Sequence, residues 1–101
     1  MIVVRFKVQC QPGTADQAMA AFRDCIAPSR QVDGVVHFDI GRALDDPDVF
    51  IATEVFDDRA SLERQESQAV VQNTIKLLEQ ILAAAPEATI YHVSSSEPHG
   101  G

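Results

Sequence analysis

Residues Ile2 to Cys10 alternate without a break. Ile2, Val4, Phe6, Val8 and Cys10 fall on one side of an extended chain, and Val3, Arg5, Lys7 and Gln9 on the other. A period-two run with one wholly apolar side is a strand with one dry face, and it commits the chain to a sheet that another layer must cover on that side. The segment Gln11-Pro12-Gly13 ends the strand. Thr14, followed by Gln17, then predicts a capping box that opens a helix. Along it Ala15, Ala18, Met19, Phe22 and Ile26 recur at helical spacing, and Pro28 is the expected stop.

Asp33-Gly34 reads as a turn, after which Val36, Phe38 and Ile40 alternate with Val35, His37 and Asp39 in a second strand. The turn-rich stretch Leu44-Asp45-Asp46-Pro47-Asp48 leads to a third strand, Val49 to Phe56, which should pair antiparallel with the second. Asp57-Asp58 then caps a short helix through Leu62. Ser67 is expected to cap a longer one with Val70, Val71, Thr74, Ile75, Leu78, Ile81 and Leu82 on its inner face. Ala83-Ala84-Ala85-Pro86 closes that helix, and Ala88 to Val93 is the last strand. The order β-α-β-β-α-β is the α+β, ferredoxin-like arrangement: a four-stranded antiparallel sheet with helices on one side and an open face on the other.

At 101 residues the chain has the length of one domain, since domains cluster near ~100–150 residues. The expected division is a domain over residues 1–93 and a disordered tail over 94–101, where serines, glycines and Pro98 offer nothing to bury. Eight Lys and Arg against fifteen Asp and Glu leave a net charge of −7, which argues against nucleic acid or an anionic membrane as partner. The sequence also lacks an apolar run long enough to span a bilayer and a signal-peptide pattern, so a cytoplasmic protein is expected. Cys10 and Cys25 are too few for a disulfide framework and lack metal-site spacing, so they read as reduced and partly buried. A hydrophobic content of 46% is generous for this length and implies a subunit interface, an apolar pocket, or simply a dense core.

The open face should carry Val3, Arg5, Lys7, Val35, His37 and Asp39 with alternate residues of the third strand. That mixture suits a second sheet from an identical subunit, with Arg5 and Lys7 meeting Asp39 or Glu54 across the interface; a solvated face is the alternative. Glu54, alone among apolar neighbours, is thus read first as an interface partner, with a raised pKa and catalytic use as the other option.

The stretch from Val35 through Ser67 combines a Gly34-led strand and an acidic, Pro-containing loop with Phe50-Ile51-Ala52-Thr53-Glu54-Val55-Phe56 and Asp57-Asp58-Arg59-Ala60-Ser61-Leu62. It resembles the antibiotic biosynthesis monooxygenase family, and the likeness extends over nearly the whole chain. The resemblance implies a homodimeric α+β barrel of two sheets packed face to face, each protomer keeping a pocket between sheet and helices. It also implies a monooxygenase, an oxidoreductase that oxygenates phenols or quinols without a metal or organic cofactor. Other members of the family degrade haem. Quinol-oxidising members carry histidines where this chain has Gln65 and Val70. Haem-degrading members carry a Trp and an iron-binding His where it offers Gln65 and Ile75, and neither can serve as an axial ligand. Haem degradation is therefore not expected.

Cofactor-free oxygenation needs a proton acceptor, donors for a phenolate and a dry cavity. Phe6, Phe22 and Phe38, with Phe50 or Phe56 on the third strand, are candidates to line the cavity around an aromatic substrate. Of the last two, Phe56 is the one assigned to it; all also read as ordinary core. The catalytic candidates are His92, Tyr91 and Gln65. His92 and Tyr91 take opposite faces of the last strand, and Gln65 can donate a hydrogen bond but not accept a proton at neutral pH. His37 belongs with Arg5, Lys7, Asp39 and Glu54 on the subunit interface. No phosphate-binding loop, nucleophile elbow or metal-ligand set is present in the sequence. The alternative to an enzyme is a dimeric small-molecule-binding or structural module that keeps the fold without the chemistry.

Overall fold

The structure is a computed structural model and describes residues 1–100. Seven elements follow in order: β1 (Ile2–Gln9), α1 (Ala15–Arg30), β2 (Val35–Arg42), β3 (Val49–Phe56), α2 (Arg59–Glu66), α3 (Ala69–Ile81) and β4 (Glu87–His92). The strands form one antiparallel sheet in the order β2-β3-β1-β4, so the run that opens the sequence lies at its centre. All three helices lie on one face, which makes the fold ferredoxin-like with an additional short helix before the long one. No helix among the described residues is long and apolar enough to cross a membrane. Residues 94–100 follow β4 without helix or strand and are exposed; the last residue of the expected 94–101 tail lies outside the described residues.

Two apolar clusters hold the helices to the sheet. At one end Val8, Cys10 and Phe50 pack against Ala15, Ala18 and Phe22 of α1 and Leu78 and Ile81 of α3. Phe22 and Phe50 meet as a tilted pair with ring centroids 5.3 Å apart. At the other end Ile2, Val4 and Phe56 pack against Leu62 of α2, with Val35 and Ile90 at the margin. Phe56, with no exposed surface, is the largest fully buried side chain.

Several local expectations need correction. Thr14 makes no capping box: its backbone is already near-helical (φ −110°, ψ −4°), which turns the hydroxyl away from the first-turn amides, and it donates instead to the Gln11 carbonyl at 2.7 Å. Pro28 does not stop α1. It lies in the last turn, where the missing N–H costs one bond, and its carbonyl accepts from the Gln31 amide and from Gln68 Nε2. α2 extends beyond Leu62 to Glu66, and Ser67 ends that helix instead of starting the next; its hydroxyl donates to the Arg64 carbonyl. Asp58 caps α2 as expected, accepting from the amide and hydroxyl of Ser61 at 2.9 and 2.7 Å.

The sheet faces differ from the expected alternation at two places. β2 carries a bulge between Val35 and His37, and the inserted residue shifts the parity. Val35 therefore packs into the helix-covered cluster, and Val36, expected inside, is 48% exposed. Glu54 is the second place: it stands opposite Val4 and Phe38 and shares the parity of Phe50, Ala52 and Phe56, so it faces the helices and not Arg5 and Lys7. Asp39 does not wait for a partner from another subunit, because Arg30 Nη2 reaches its carboxylate at 2.9 Å within the same chain.

At the turn before β2, Gly34 has φ +88°, a left-handed conformation open to glycine, and a Cβ there would overlap the Ser61 hydroxyl. The close approach seats the β2 entrance against α2, and Arg64 Nη2 ties the two together by donating to the Asp33 carbonyl at 2.9 Å.

Candidate active site

Between the two clusters the inner face of β3 changes character. Large Phe50 and Phe56 bracket small Ala52 and charged Glu54, and Phe6 of β1 stands between Ala52 and a second small residue, Ala88 of β4. The helices cannot close down on this stretch, and a cavity of about 250 Å³ remains. Its floor comprises Val4, Phe6, Phe38, Ile40, Ala52, Glu54 and Ala88. Phe22 and Cys25 of α1, Gln65 and Glu66 of α2, and Val71, Thr74, Ile75 and Leu78 of α3 line it on the helix side, and it opens to solvent past Glu66 and Ile75.

Glu54 is the only ionisable side chain that the sheet contributes to this lining. Burial pushes its carboxyl up to about 7 from an ordinary 4.5, the nearby Glu66 charge adds to the rise, and no hydrogen bond opposes it. Near neutral pH the group is divided between acid and carboxylate, which suits both taking up and returning a proton. Cys25 Sγ lies 3.1 Å from Thr74 Oγ1, and burial raises the thiol pKa, keeping it a neutral wall. Gln65 is 2% exposed, and its Nε2 donates to Ser29 Oγ at 3.0 Å, which commits one donor to the helix contact.

The remaining sequence candidates divide between the faces. Phe6, Phe22 and Phe38 line the cavity, whereas Phe56 lies in the neighbouring cluster with Leu62. Phe50 shares Phe56's face and packs in the cluster at the other end, so neither lines the cavity. Tyr91 stands opposite Val3 on the open face and is 51% exposed. His92 stands opposite Ile2, on the helix side but at the exposed end of β4, outside the cavity lining. His37, Arg5, Lys7 and Asp39 lie on the open face. No imidazole lines the cavity, and no cluster of three metal-ligating side chains occurs among the described residues.

Of the two readings of Glu54, the register excludes the pairing with Arg5 and Lys7 and agrees with a raised pKa, and the sequence carries a signal for the face. Phe50 and Phe56 have the same parity, and counting inward by twos from either reaches 52 and 54. Cys25, Thr74 and Glu66 carried no comparable signal, because only the packing of three helices over one gap brings them together.

Residues 1–77 match the profile of the antibiotic biosynthesis monooxygenase family. No curated protein matches the sequence. Among solved structures, the fold is similar to that of a Deinococcus radiodurans protein provisionally named an antibiotic biosynthesis monooxygenase, at 18% identity and a TM-score of 0.89 over 100% of each chain. A Nitrosomonas europaea protein with the same provisional name is 20% identical, with a TM-score of 0.88 over 94% of this chain and 100% of its own. A conserved protein from Methanosarcina mazei is 22% identical, with a TM-score of 0.82 over 89% of each chain. Likeness at such identities speaks to the fold alone; the profile match over most of the chain shows that it belongs to the antibiotic biosynthesis monooxygenase family.

Proposed function

We propose that this protein is a cofactor-independent monooxygenase acting on a small phenol or quinol, with Glu54 as the proton acceptor. The observation that carries the reading is a carboxyl poised at about 7 in the floor of an otherwise mostly apolar cavity. The Glu54 carboxylate takes the hydroxyl proton, so negative charge passes from the protein into the ring and the cavity's net charge is unchanged. The electron-rich ring then reduces dioxygen, and a C–O bond forms at a ring carbon that still carries hydrogen. Neutral Glu54 returns its proton to the distal oxygen, and the hydroperoxide loses water to leave a carbonyl. One oxygen atom ends in the product and the other in water, with all electrons drawn from the substrate. Phe6, Phe22 and Phe38 supply an aromatic, water-poor surround.

Two copies packed through their open sheet faces form the working unit in this reading. Val3, Ile51, Val55 and Tyr91 supply apolar area there, with Arg5, Lys7, His37 and Glu87 around them. Two buried, unpaired cysteines fit a cytoplasmic setting.

A non-catalytic, dimeric binding module is the second reading, and Gln65 favours it: the residue where related quinol oxidisers carry a histidine is an amide already bonded to Ser29. Oxygen uptake over hydroquinones and anthrone-like phenols separates the two. Uptake above the autoxidation rate, with one oxygen atom of labelled dioxygen recovered in product, is the expected result; background rates throughout would leave only the binding module.

A further inference from the structure

The cavity adjoins a second apolar space that the proposed chemistry leaves unused. A groove of about 590 Å³ lies between the end of α3 and the start of β4, walled by Leu82, Glu79 and the Ala83-to-Pro86 loop. Phe6, Ile75 and Leu78 line both spaces, so the row they form is where one meets the other. Ile75 is 40% exposed there, although the spacing of α3 places it on the apolar stripe.

The groove is pre-formed. The Leu82 amide donates to the Leu78 carbonyl at 3.1 Å, the Ala83 amide to the Gln9 carbonyl at 2.8 Å, and Gln11 Nε2 to the Leu82 carbonyl at 3.2 Å. Binding there requires no loop ordering. The inner cavity, at about 250 Å³, falls below the ~300–1,000 Å³ of sites that enclose whole drug-sized ligands. A ring with short substituents fits there, whereas a longer chain needs further space.

Neither another segment of this chain nor a second copy suits the groove. β4 begins at Glu87, opposite Lys7 and beside the groove, and runs to His92, opposite Ile2, where the Val93 amide bonds to the Met1 carbonyl. Residues 94–100 thus depart from the far end of the sheet, and they are polar or small. The face proposed for a second copy is on the other side of the sheet and meets the groove only at Ala84 and Ala85.

We propose that the groove holds an aliphatic side chain of the same ligand, which makes the substrate class an alkyl-substituted phenol or quinol. The proposal rests on the reading of the Glu54 cavity as a phenol site. The polar head reaches Glu54, the ring lies against Phe6, and the chain passes Ile75 and Leu78 toward Ala83 and Pro86.

Calorimetric titration of the full chain under nitrogen with phenol, 4-propylphenol and 4-hexylphenol tests it without depending on turnover. Kd is expected to fall roughly three- to fourfold for each methylene the groove buries. Ala83→Glu, at an exposed position that lines the groove and not the open face, should flatten that dependence by setting a carboxylate in the chain's path. A chain-length dependence absent in the parent protein, or equally steep in the variant, would overturn the groove assignment. Phenol binding with no chain-length effect removes the groove while sparing the oxygenase reading. A steep, variant-sensitive dependence without oxygen uptake keeps the groove and removes the oxygenase.

Discussion

The two faces of this sheet are made by the same strands and do opposite work. On the helix-covered face, one carboxyl stands among buried aliphatic and aromatic side chains, and its environment moves its proton affinity into the neutral range. On the open face, Arg5, Lys7, Asp39 and Glu87 stand among Val3, Ile51 and Tyr91 near solvent, and the clearest ion pair, Arg30 with Asp39, is exposed on both partners. Burial on the first face shifts a single group strongly, whereas charge on the second is dispersed and screened.

The sharpest way to break this contrast is Glu54→Gln, which keeps the shape and removes the proton acceptor. Oxygen uptake should fall by ~10²–10⁴-fold, the range usual for a positioned acid or base, and the pH dependence near 7 should disappear. A variant that retains both would remove Glu54 from the chemistry.

Stability supplies the next test. Phe56→Ala should cost ~3–5 kcal/mol in urea unfolding, because it empties a site with no exposed surface. Leu44→Ala, at a fully exposed loop position, should change stability by no more than ~0.5 kcal/mol.

The raised Glu54 pKa also makes folding pH-dependent. With the folded value above the unfolded one, the unfolded chain ionises first as pH rises. The contribution is fully present below about 4.5 and lost progressively up to about 7. The whole interval corresponds to at most ~3 kcal/mol, reduced by the water that reaches the partly buried carboxyl. Denaturant midpoints measured across that interval should decline in the parent protein and lie flatter in Glu54→Gln.

Smaller effects are expected on the open face. Arg5→Ala/Lys7→Ala should weaken self-association by a few-fold, more at low salt than at high, since exposed charge pairs contribute ~0.2–1 kcal/mol each. Unchanged sedimentation of the double variant would leave the apolar residues to hold the dimer alone. Val36→Thr, at the bulge, should shift stability by no more than ~0.5 kcal/mol, whereas a regular β2 would make it a core substitution.

Much of the fold was legible because its signals are local. The unbroken alternation of β1, the turn at Asp33-Gly34, the Asp58 cap and the apolar stripe of α3 each depend on near neighbours along the chain. The failures at Thr14, Pro28 and Ser67 concern helix ends, where contacts with other elements decide which residue caps and which continues. For Glu54 charge and parity point to opposite faces, and parity decides. Two phenylalanines of the same parity already placed it inside.

The sequence by itself determined the element order, the dry face of the central strand and the family, because periodicity and short motifs are written along one dimension. Only the tertiary structure decided where the cavity lies and what fills its rim. A bulge that turns Val35 inward, the two alanines that flank Phe6, and the placing of Cys25, Gln65 and Thr74 around one cavity all depend on register and packing between distant segments. Burial beneath the helices, which no local pattern in the chain specifies, is what moves the Glu54 carboxyl to about 7.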